Sequence, residues 1–314
     1  MTLGELIDEY VDYKRSLGMY FRSPAVRLKA FLAAVGDVKL DAITPQQVRS
    51  HLDGTPGPIT SFWFAKYQAL RPFFAYAIDR NYLQSCPLPK VLPSKPPKFD
   101  PYIYTVAEVK RLLDAADSRH QSDWLLDPQT ARTLILLLYG TGLRIGEATR
   151  LKLSDVDLND QILTVRETKF FKSRLVPIGD DLAMALRSYH AYQWGSWTPT
   201  DESTFLSCRA RQPIKHQTAR LVFYRMRTEA NVRREETARY QPRLHDFRHT
   251  FAVTRLVTWY REGKNVQRLL PHLSTYLGHA RLQETTRYLN MTKELLQEAS
   301  QCFLQYALPE TPDE

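Results

Sequence analysis

The sequence has few cysteines and no long apolar run, and each absence excludes a class of protein. Its three cysteines, Cys86, Cys208 and Cys302, are too widely separated for a zinc-binding spacing or a disulfide framework. This usage is typical of a reducing cytoplasm. No apolar run reaches about eighteen residues, and the N-terminus lacks the basic-then-apolar order of a signal peptide. We therefore expect neither a membrane span nor secretion.

Glycine is also scarce, with 12 residues, and its most suggestive cluster does not indicate a nucleotide site. Gly140 and Gly142 form a Gly-x-Gly pair. A dinucleotide fingerprint follows a strand inside a βαβ unit. This pair follows a strongly apolar helical pattern at 129–139 instead, so we do not expect a dinucleotide cofactor.

Basic residues are abundant. The formal net charge is +9 and the isoelectric point is near 9.4. Such an excess favours an anionic partner, either nucleic acid or an anionic membrane surface. A soluble protein that is merely basic explains the charge equally well. The hydrophobic fraction of 43% is enough for ordinary cores, which excludes a wholly disordered chain.

The sequence predicts two domains separated by a proline-rich segment. Residues 1–86 show helical spacing and helix starts such as Thr44-Pro45, which predict about four helices. Residues 87–101 predict an extended basic linker, because proline is excluded from helix interiors and central strands. Residues 102–314 form the second domain. Basic side chains of the first domain and the linker are candidates for contact with a DNA backbone, namely Lys66, Arg71, Lys95 and Lys98. The alternative is that they lie on solvated faces.

The second domain is predicted to be mainly helical with a small β-hairpin. Thr105 and Glu108 form a capping-box pattern, and 129–139 predict a central apolar helix. Partly alternating apolar residues at 161–167 and 174–178, on either side of a polar turn, predict the hairpin. Further helices are expected at about 180–193, 216–231, 244–260, 266–277, 282–289 and 292–307. The expected fold class is therefore mainly α with a small β-sheet.

Two arginines occupy positions suited to binding one phosphate. Arg144 begins a predicted helix with Glu147 on the same face, and Arg248 lies one turn after His245. Arginine binds phosphate through two parallel hydrogen bonds, and histidine exchanges protons near neutral pH. Simpler explanations are an Arg144–Glu147 ion pair and a solvated basic helix. His245 and His249 also have zinc-helix spacing, although no third ligand is evident and Arg248 would repel a cation.

The motifs of the second domain resemble those of one known family, the tyrosine recombinases, also called the phage integrase family. The motifs, in the family's order, are Gly142-Leu-Arg144-x-x-Glu147, a hairpin lysine, His245-x-x-Arg248, Leu277-Gly-His279, and Tyr288 nine residues later. The helical first domain resembles the family's core-binding domain in architecture alone. The resemblance implies a mixed α/β catalytic domain and a DNA strand-exchange enzyme that needs no metal or other cofactor.

The resemblance implies a role for each residue of the site. Tyr288 would attack a DNA phosphodiester, forming a 3′-phosphotyrosyl bond and freeing a 5′-hydroxyl. Arg144 and Arg248 would clamp the non-bridging oxygens, and His279 would hydrogen-bond to one of them. His245 would assist proton transfer or fix the phosphate geometry. Covalent storage of the bond removes the need for a nucleotide cofactor.

The hairpin turn is implied to carry the acid for the leaving group. Lys169 would protonate the 5′-oxygen, with Lys172 as its rival. The glycines usual around this lysine are absent, since the sequence here is Thr168-Lys-Phe-Phe. Lys172 and Arg174 are also candidates for DNA contact. Glu147 is implied to support an arginine rather than to take part in chemistry.

Two other tyrosines compete with Tyr288 as the nucleophile. Tyr276 precedes the Leu-Gly-His turn in an apolar pattern, which indicates a core position. Tyr306 belongs to the predicted last helix. That amphipathic helix packs either on its own domain or, as the family suggests, on a neighbouring protomer.

The expected enzyme is a tetramer on two sites in double-stranded DNA, without a membrane partner. We expect it in the cytoplasm with the nucleoid, acting in integration, excision or transposition of a mobile element. Three alternatives remain: a type IB topoisomerase-like enzyme, a hairpin-resolving enzyme, and a non-catalytic DNA-binding relative.

Overall fold

The chain divides into two compact units, Met1–Phe99 and Asp100–Glu314. The computed structural model describes residues 1–96, 100–117, 126–166, 173–195, 198–200, 202–209, 211–235, 238, 240–291, 293 and 295–300. The division falls inside the proline- and lysine-rich segment at 87–101. Within the described ranges, no helix combines the length and the apolar character needed to cross a bilayer.

The first unit consists of helices joined by short connections. They are α1 (Leu3–Ser16), α2 (Arg22–Val35), α3 (Pro45–Asp53) and α4 (Ser61–Asp79), with a 3-10 turn at Leu40–Ala42. Two of them begin with capping boxes, in which Thr2 pairs with Glu5 and Thr44 pairs with Gln47. Helix α4 continues through Pro72, although proline inside a helix removes a backbone donor and often kinks or divides it.

The core of the first unit is aromatic. The ring of Tyr10 contacts those of Phe21 and Phe73 edge-on, each with centroids 5.5 Å apart. Phe31 packs edge-on against Phe74 at 6.0 Å. These rings come from α1, α2 and α4 and the loop between the first two helices. Their burial fixes how the helices pack, because each ring removes a large apolar area from water.

The second unit is organised around the apolar helix α6. Its helices are α5 (Val106–Asp117), α6 (Pro128–Thr141), α7 (Ile145–Ala148), α8 (Asp180–Trp194), α9 (His216–Glu229), α10 (Asp246–Arg261), α11 (Val266–Leu277) and α12 (Gln283–Thr286). Helix α6 packs against α5, α8, α9 and α10. Residues 295–300 are also helical, and the rest of the predicted last helix lies outside the described residues.

Two helices of the second unit are shorter than the sequence predicts. Helical spacing continues to 151, yet α7 ends at Ala148, where the Thr149 hydroxyl donates back to the Ile145 carbonyl at 3.0 Å. The helix expected at 282–289 is divided into α12 and a 3-10 turn, Arg287–Asn290. The short turn carries Tyr288.

A three-stranded antiparallel sheet completes the second unit. Its strands are β1 (Val156–Asp157), β2 (Ile162–Val165) and β3 (Arg174–Pro177), in that order. The predicted hairpin is present as β2 and β3, and β1 is an addition. The register of β2 with β3 pairs Val165 with Arg174, so Arg174 lies at the turn end of β3. The mainly helical fold with a small sheet is confirmed.

Candidate active site

Arg144 lies where α6 ends and α7 begins. Gly142 ends α6 in the left-handed conformation, with φ at +63°, and a Cβ there would lie 2.8 Å from the Phe251 ring. The Glu147 carboxylate accepts hydrogen bonds from the Arg144 backbone N–H at 2.9 Å and from its Nη1 at 2.8 Å. The predicted ion pair is therefore present. It orients a guanidinium whose side chain remains 34% exposed.

A second arginine binds the same carboxylate. Arg174 donates to Glu147 through Nη1 at 3.2 Å and Nη2 at 2.9 Å, in a bidentate arrangement. Its side chain is 8% exposed. Burial alone would raise the pKa of the Glu147 carboxyl, but Arg174 and then Arg144 lower it to about 2. Glu147 is thus ionised at any physiological pH and holds two guanidinium groups.

Arg248 is the most deeply buried cation of the site, at 2% exposure on α10. Its Nη1 donates to the Gly142 carbonyl at 2.9 Å, and its Nη2 donates to the Leu277 carbonyl at 2.6 Å. It therefore joins the end of α6 to the end of α11. Each terminal nitrogen of this buried guanidinium therefore has one acceptor, which offsets part of the cost of removing it from water.

Three guanidinium groups meet three successive carbonyls where α11 ends. Arg174 Nε donates to the Tyr276 carbonyl at 2.7 Å, Arg248 to that of Leu277, and Arg144 Nη2 to that of Gly278 at 3.2 Å. The last carbonyls of a helix lack intrahelical donors and carry the negative end of its dipole. Arginines from three separate elements are therefore held together beside residue 279.

His279 and Tyr288 complete this cluster. Tyr288 is 2% exposed, and its ring stacks on that of His279 with centroids 5.9 Å apart. The Nδ1 atom of His279 lies 2.7 Å from the Thr285 hydroxyl, which fixes the orientation of the ring. The positive charge of Arg248 acts on the Tyr288 phenol and lowers its pKa. The two arginines, the histidine and the tyrosine of the predicted site are therefore brought together.

Two further histidines near the cluster, His245 and His249, lie at the start of α10. His245 precedes the helix, and its ring is perpendicular to that of His249, with centroids 5.1 Å apart. His249 packs edge-on against Tyr288 at 5.6 Å, and its buried Nδ1 has no hydrogen-bond partner among the described residues. Within those residues, no group of three or more His, Cys, Asp or Glu side chains is arranged to hold a metal ion.

The electrostatics of the cluster follow from burial and the arginines. Removal from water and then the charge of Arg248 lower the pKa of His245 to about 4 and that of His279 to about 3. Both rings are therefore neutral near pH 7. Burial raises the pKa of the Tyr288 phenol, and the charge of Arg248 opposes that rise.

Comparison with known proteins decides the family. The sequence profile of the phage integrase family matches residues 103–294. The chain belongs to the phage integrase family. It is 33% identical over 301 residues to a Sinorhizobium fredii protein named as an integrase/recombinase, y4rB, covering 95% of this chain and 96% of the relative. It is 32% identical over 236 residues to the tyrosine recombinase XerA of Thermococcus kodakarensis, covering 74% and 72%.

Solved structures of integrases share the fold of this recombinase. The Tn1549 transposon integrase, bound to transposon right-end DNA, superposes with a TM-score of 0.70 at 17% identity, covering 98% of this chain and all of that one. A lambda integrase tetramer on a Holliday junction gives 0.64 at 19% identity, covering 90% and 79%. The chain is thus a tyrosine-type site-specific recombinase, and the alternatives drawn from the sequence are not favoured.

The candidate DNA-contacting residues of this recombinase have different surroundings. Arg71 and Lys95 are exposed. Lys66 instead donates to the carbonyls of His51 at 2.5 Å and Leu52 at 3.3 Å, near the end of α3. These bonds use Lys66 within the fold and leave it little freedom for a phosphate. Lys98, Lys169, Lys172 and Tyr306 lie outside the described residues.

Arg174 and Tyr276 also have specific partners. Arg174, a candidate for DNA contact, is buried on Glu147 and on the Tyr276 carbonyl. Tyr276 stacks on Phe251 at 5.3 Å, and its hydroxyl donates to the Pro177 carbonyl at 3.2 Å. Tyr276 is therefore engaged in packing, as its apolar pattern indicates.

Two contributors to the recombinase site are missed by sequence reasoning. Thr285 binds His279, and the available signal is its position three residues before Tyr288 on a helical pattern. His249 packs on Tyr288, and the sequence singled it out only for its zinc-helix spacing with His245. Nothing in the spacing alone distinguishes either residue from a surface position.

Proposed function

We propose that this recombinase cuts and rejoins DNA through Tyr288. The phenol oxygen attacks phosphorus, a Tyr–O–P bond forms at the 3′ end, and the bond from phosphorus to the 5′-oxygen breaks. The phenol loses its proton, and the leaving 5′-oxygen gains one. The observation that carries this proposal is the convergence of Arg144, Arg248, His279 and Tyr288 at the end of α11.

The arginines retain the donors that a phosphate needs. Each terminal nitrogen of a guanidinium carries two N–H groups. Arg248 uses one N–H of each for the carbonyls of Gly142 and Leu277, and Arg144 likewise uses one of each for Glu147 and Gly278. Donors fixed before the phosphate arrives stabilise developing negative charge without reorganisation. This arrangement supports a role for both arginines in clamping the non-bridging oxygens.

The neutral histidines suit hydrogen bonding around that phosphate. With pKa values lowered to about 4 and about 3, His245 and His279 carry no charge near pH 7. Since Thr285 engages Nδ1 of His279, its Nε2 is left for a phosphate oxygen. His245 would accept or relay the phenol proton, or fix the phosphate geometry.

The nucleophile must become accessible for this chemistry. Tyr288 is buried, whereas a phosphate in a duplex reaches only exposed groups. Attack therefore requires displacement of the short 3-10 turn that carries Tyr288, Arg287–Asn290, while Thr285 in α12 stays on His279. Short helical segments of this kind unfold locally at low cost.

The acid for the leaving group is proposed to be Lys169, with Lys172 as its rival. Both belong to the stretch between β2 and β3. Arg174, which begins β3, is hydrogen-bonded to Glu147 beside the clamp. That anchoring supports delivery of the turn lysine to the scissile phosphate.

The assembly is proposed to be a tetramer that joins two DNA sites, with both units of each chain binding DNA. The lambda integrase neighbour is a tetramer on a Holliday junction, and the Tn1549 neighbour is a transposon integrase on transposon DNA. These likenesses support strand exchange in integration, excision or transposition of a mobile element. We place the enzyme in the cytoplasm with the nucleoid.

Covalent capture tests the proposal. The full chain is incubated with a library of nicked duplexes, which trap the intermediate because the freed fragment diffuses away. Wild type should give a detergent-resistant protein–DNA adduct, with EDTA present, and Tyr288→Phe should give none. An adduct formed by Tyr288→Phe, or none from wild type, would contradict the mechanism. Captured duplexes carrying two sites then distinguish strand exchange from simple relaxation.

A further inference from the structure

Arg174 is buried, and each nitrogen of its guanidinium has an acceptor in the protein. It begins β3 immediately after the stretch that carries Lys169 and Lys172. Its Nε, Nη1 and Nη2 atoms all have partners, namely the Tyr276 carbonyl and both oxygens of Glu147. A residue that served only to attract a DNA backbone would gain nothing from this burial, since removing a guanidinium from water is costly.

The carboxylate of Glu147 is shared between Arg174 and Arg144. Oxygen Oε1 accepts from Arg144 Nη1 and Arg174 Nη1, and Oε2 accepts from the Arg144 backbone N–H and Arg174 Nη2. Four donors thus surround one buried anion. Loss of Arg174 would leave Glu147 with half of these bonds, so the orientation of the Arg144 guanidinium depends on it.

Arg174 also holds the turn before His279. Its Nε binds the Tyr276 carbonyl, and its guanidinium lies against Gly278, where an added Cβ would come within 2.8 Å of Nη1. Gly278 has φ at +68°, which glycine adopts without strain. The glycine of the Leu-Gly-His motif therefore makes room for Arg174 as well as permitting the turn.

We propose that Arg174 is a positioning residue for DNA cleavage, which orients Arg144 through Glu147 and holds the turn that carries His279. The proposal rests on the proposed function and assigns Arg174 no contact with DNA. By tying the start of β3 to Glu147 and α11, Arg174 also couples the hairpin that carries the proposed acid to the clamp.

The electrostatics of Glu147 supply a readout that a purely structural role would not move. In wild type the pKa of Glu147 is lowered to about 2, so the carboxylate stays ionised throughout the working range. Without Arg174, burial is less opposed and this pKa rises. The ion pair between Glu147 and Arg144 is then present at high pH. It is lost as the pH falls through the raised pKa of Glu147.

The test compares Arg174→Met and Arg174→Lys with Arg132→Met, a control that removes a partly exposed ion pair with Asp117. Single-turnover adduct formation on the captured nicked duplexes is measured between pH 5 and 9. We expect Arg174→Met to be slower by up to about 100-fold, since a misplacement of about 1 Å in a reacting group has a cost of this size. Its rate should also fall towards acidic pH more than that of wild type. Arg174→Lys should recover part of the rate, and the control should match wild type.

A double variant shows whether Arg174 acts through Glu147. If it does, the double variant Glu147→Gln/Arg174→Met should be little slower than the slower single variant. Each substitution already disrupts the same Arg174–Glu147 interaction, so the second adds little. Multiplicative losses would overturn the proposal. So would an Arg174→Met variant with an unchanged pH profile whose DNA affinity loses about one unit of salt dependence, which indicates a phosphate contact.

The two proposals fail in different ways. If wild type forms no adduct, the proposed function itself fails, and the positioning role fails with it. If wild type forms the adduct and Arg174→Met forms it at the same rate at every pH, only the role of Arg174 fails.

Discussion

The two units of the recombinase bury different kinds of side chain. Among the described residues, every buried polar or charged side chain lies in the second unit, and the buried residues of the first are apolar or aromatic. An apolar core needs only shape and volume, whereas a buried charge needs donors and acceptors at fixed positions. The difference shows that the second unit accepts a cost in stability where it holds Arg248 and Glu147 in place.

The contrast extends to how basic residues are used. In the first unit Arg71 faces solvent, where a mobile cation can neutralise a phosphate at many positions. In the second, Arg144, Arg174 and Arg248 are held by carbonyls and a carboxylate at the end of α11. An exposed positive charge is enough to bind a DNA backbone. A reaction at one phosphorus atom requires hydrogen-bond donors held in fixed orientations.

The largest effect should come from matched core substitutions in the two units. Arg248→Met would leave the carbonyls of Gly142 and Leu277 buried without a donor, so we expect a loss of about 3 kcal/mol in unfolding free energy. It should also abolish the covalent adduct. Phe73→Leu in the first unit should cost about 1–2 kcal/mol with adduct formation on bound DNA unchanged.

Urea unfolding and single-turnover adduct assays measure both quantities. The comparison between units breaks down if Phe73→Leu slows the chemical step on saturating DNA as strongly as Arg248→Met does. It also breaks down if Arg248→Met keeps wild-type cleavage.

A smaller difference should separate two glycines with left-handed backbones. Gly18 (φ +73°) has open space around an added Cβ, whereas a Cβ on Gly278 would meet Arg174. Gly18→Ala should therefore cost only the conformational strain, about 1 kcal/mol. Gly278→Ala should cost about 1 kcal/mol more, and should slow adduct formation, because Arg174 must move. Equal unfolding free energies and equal cleavage rates for the two variants would show that Gly278 serves the backbone turn alone.

The smallest effect should distinguish two basic residues of the first unit. Arg71→Ala should lower the salt dependence of DNA binding by about one unit without changing stability. Lys66→Ala should leave that slope unchanged and cost about 1 kcal/mol, since it removes donors from two carbonyls near the end of α3. Affinity measured from 50 to 200 mM salt, together with thermal unfolding, tests the pair. If Lys66→Ala also lowers the salt dependence of DNA affinity, Lys66 does contact DNA and this assignment is wrong.

Local sequence patterns were sufficient to predict most of the helices, the hairpin and the family, but not where α7 and α12 end. The capping pattern at Thr105 appears as hydrogen bonds between Thr105 and Glu108, and the apolar run at 129–139 is the central helix α6. Such features depend on neighbours a few residues apart, so spacing reveals them. The roles of Lys169 and Lys172 stay predictions, as do the chemical roles of the described site residues.

Contacts between distant segments could not be predicted in this way. Arg174 is 27 residues from Glu147 and 102 from Tyr276, and its strand pattern is equally consistent with an exposed side chain. Thr285 and His249 became part of the site only because α10, α11 and α12 pack together. Burial and direction are properties of the packed core, which no local pattern contains.

The order and spacing of the motifs were enough to indicate the family, and through that resemblance the reaction, which the family match supports. The tertiary structure alone decided how they are held, with three arginines on three successive carbonyls and one buried carboxylate between two of them. The physical reason is that a guanidinium buried away from water must find acceptors, and the end of α11 provides them only after the helices have packed.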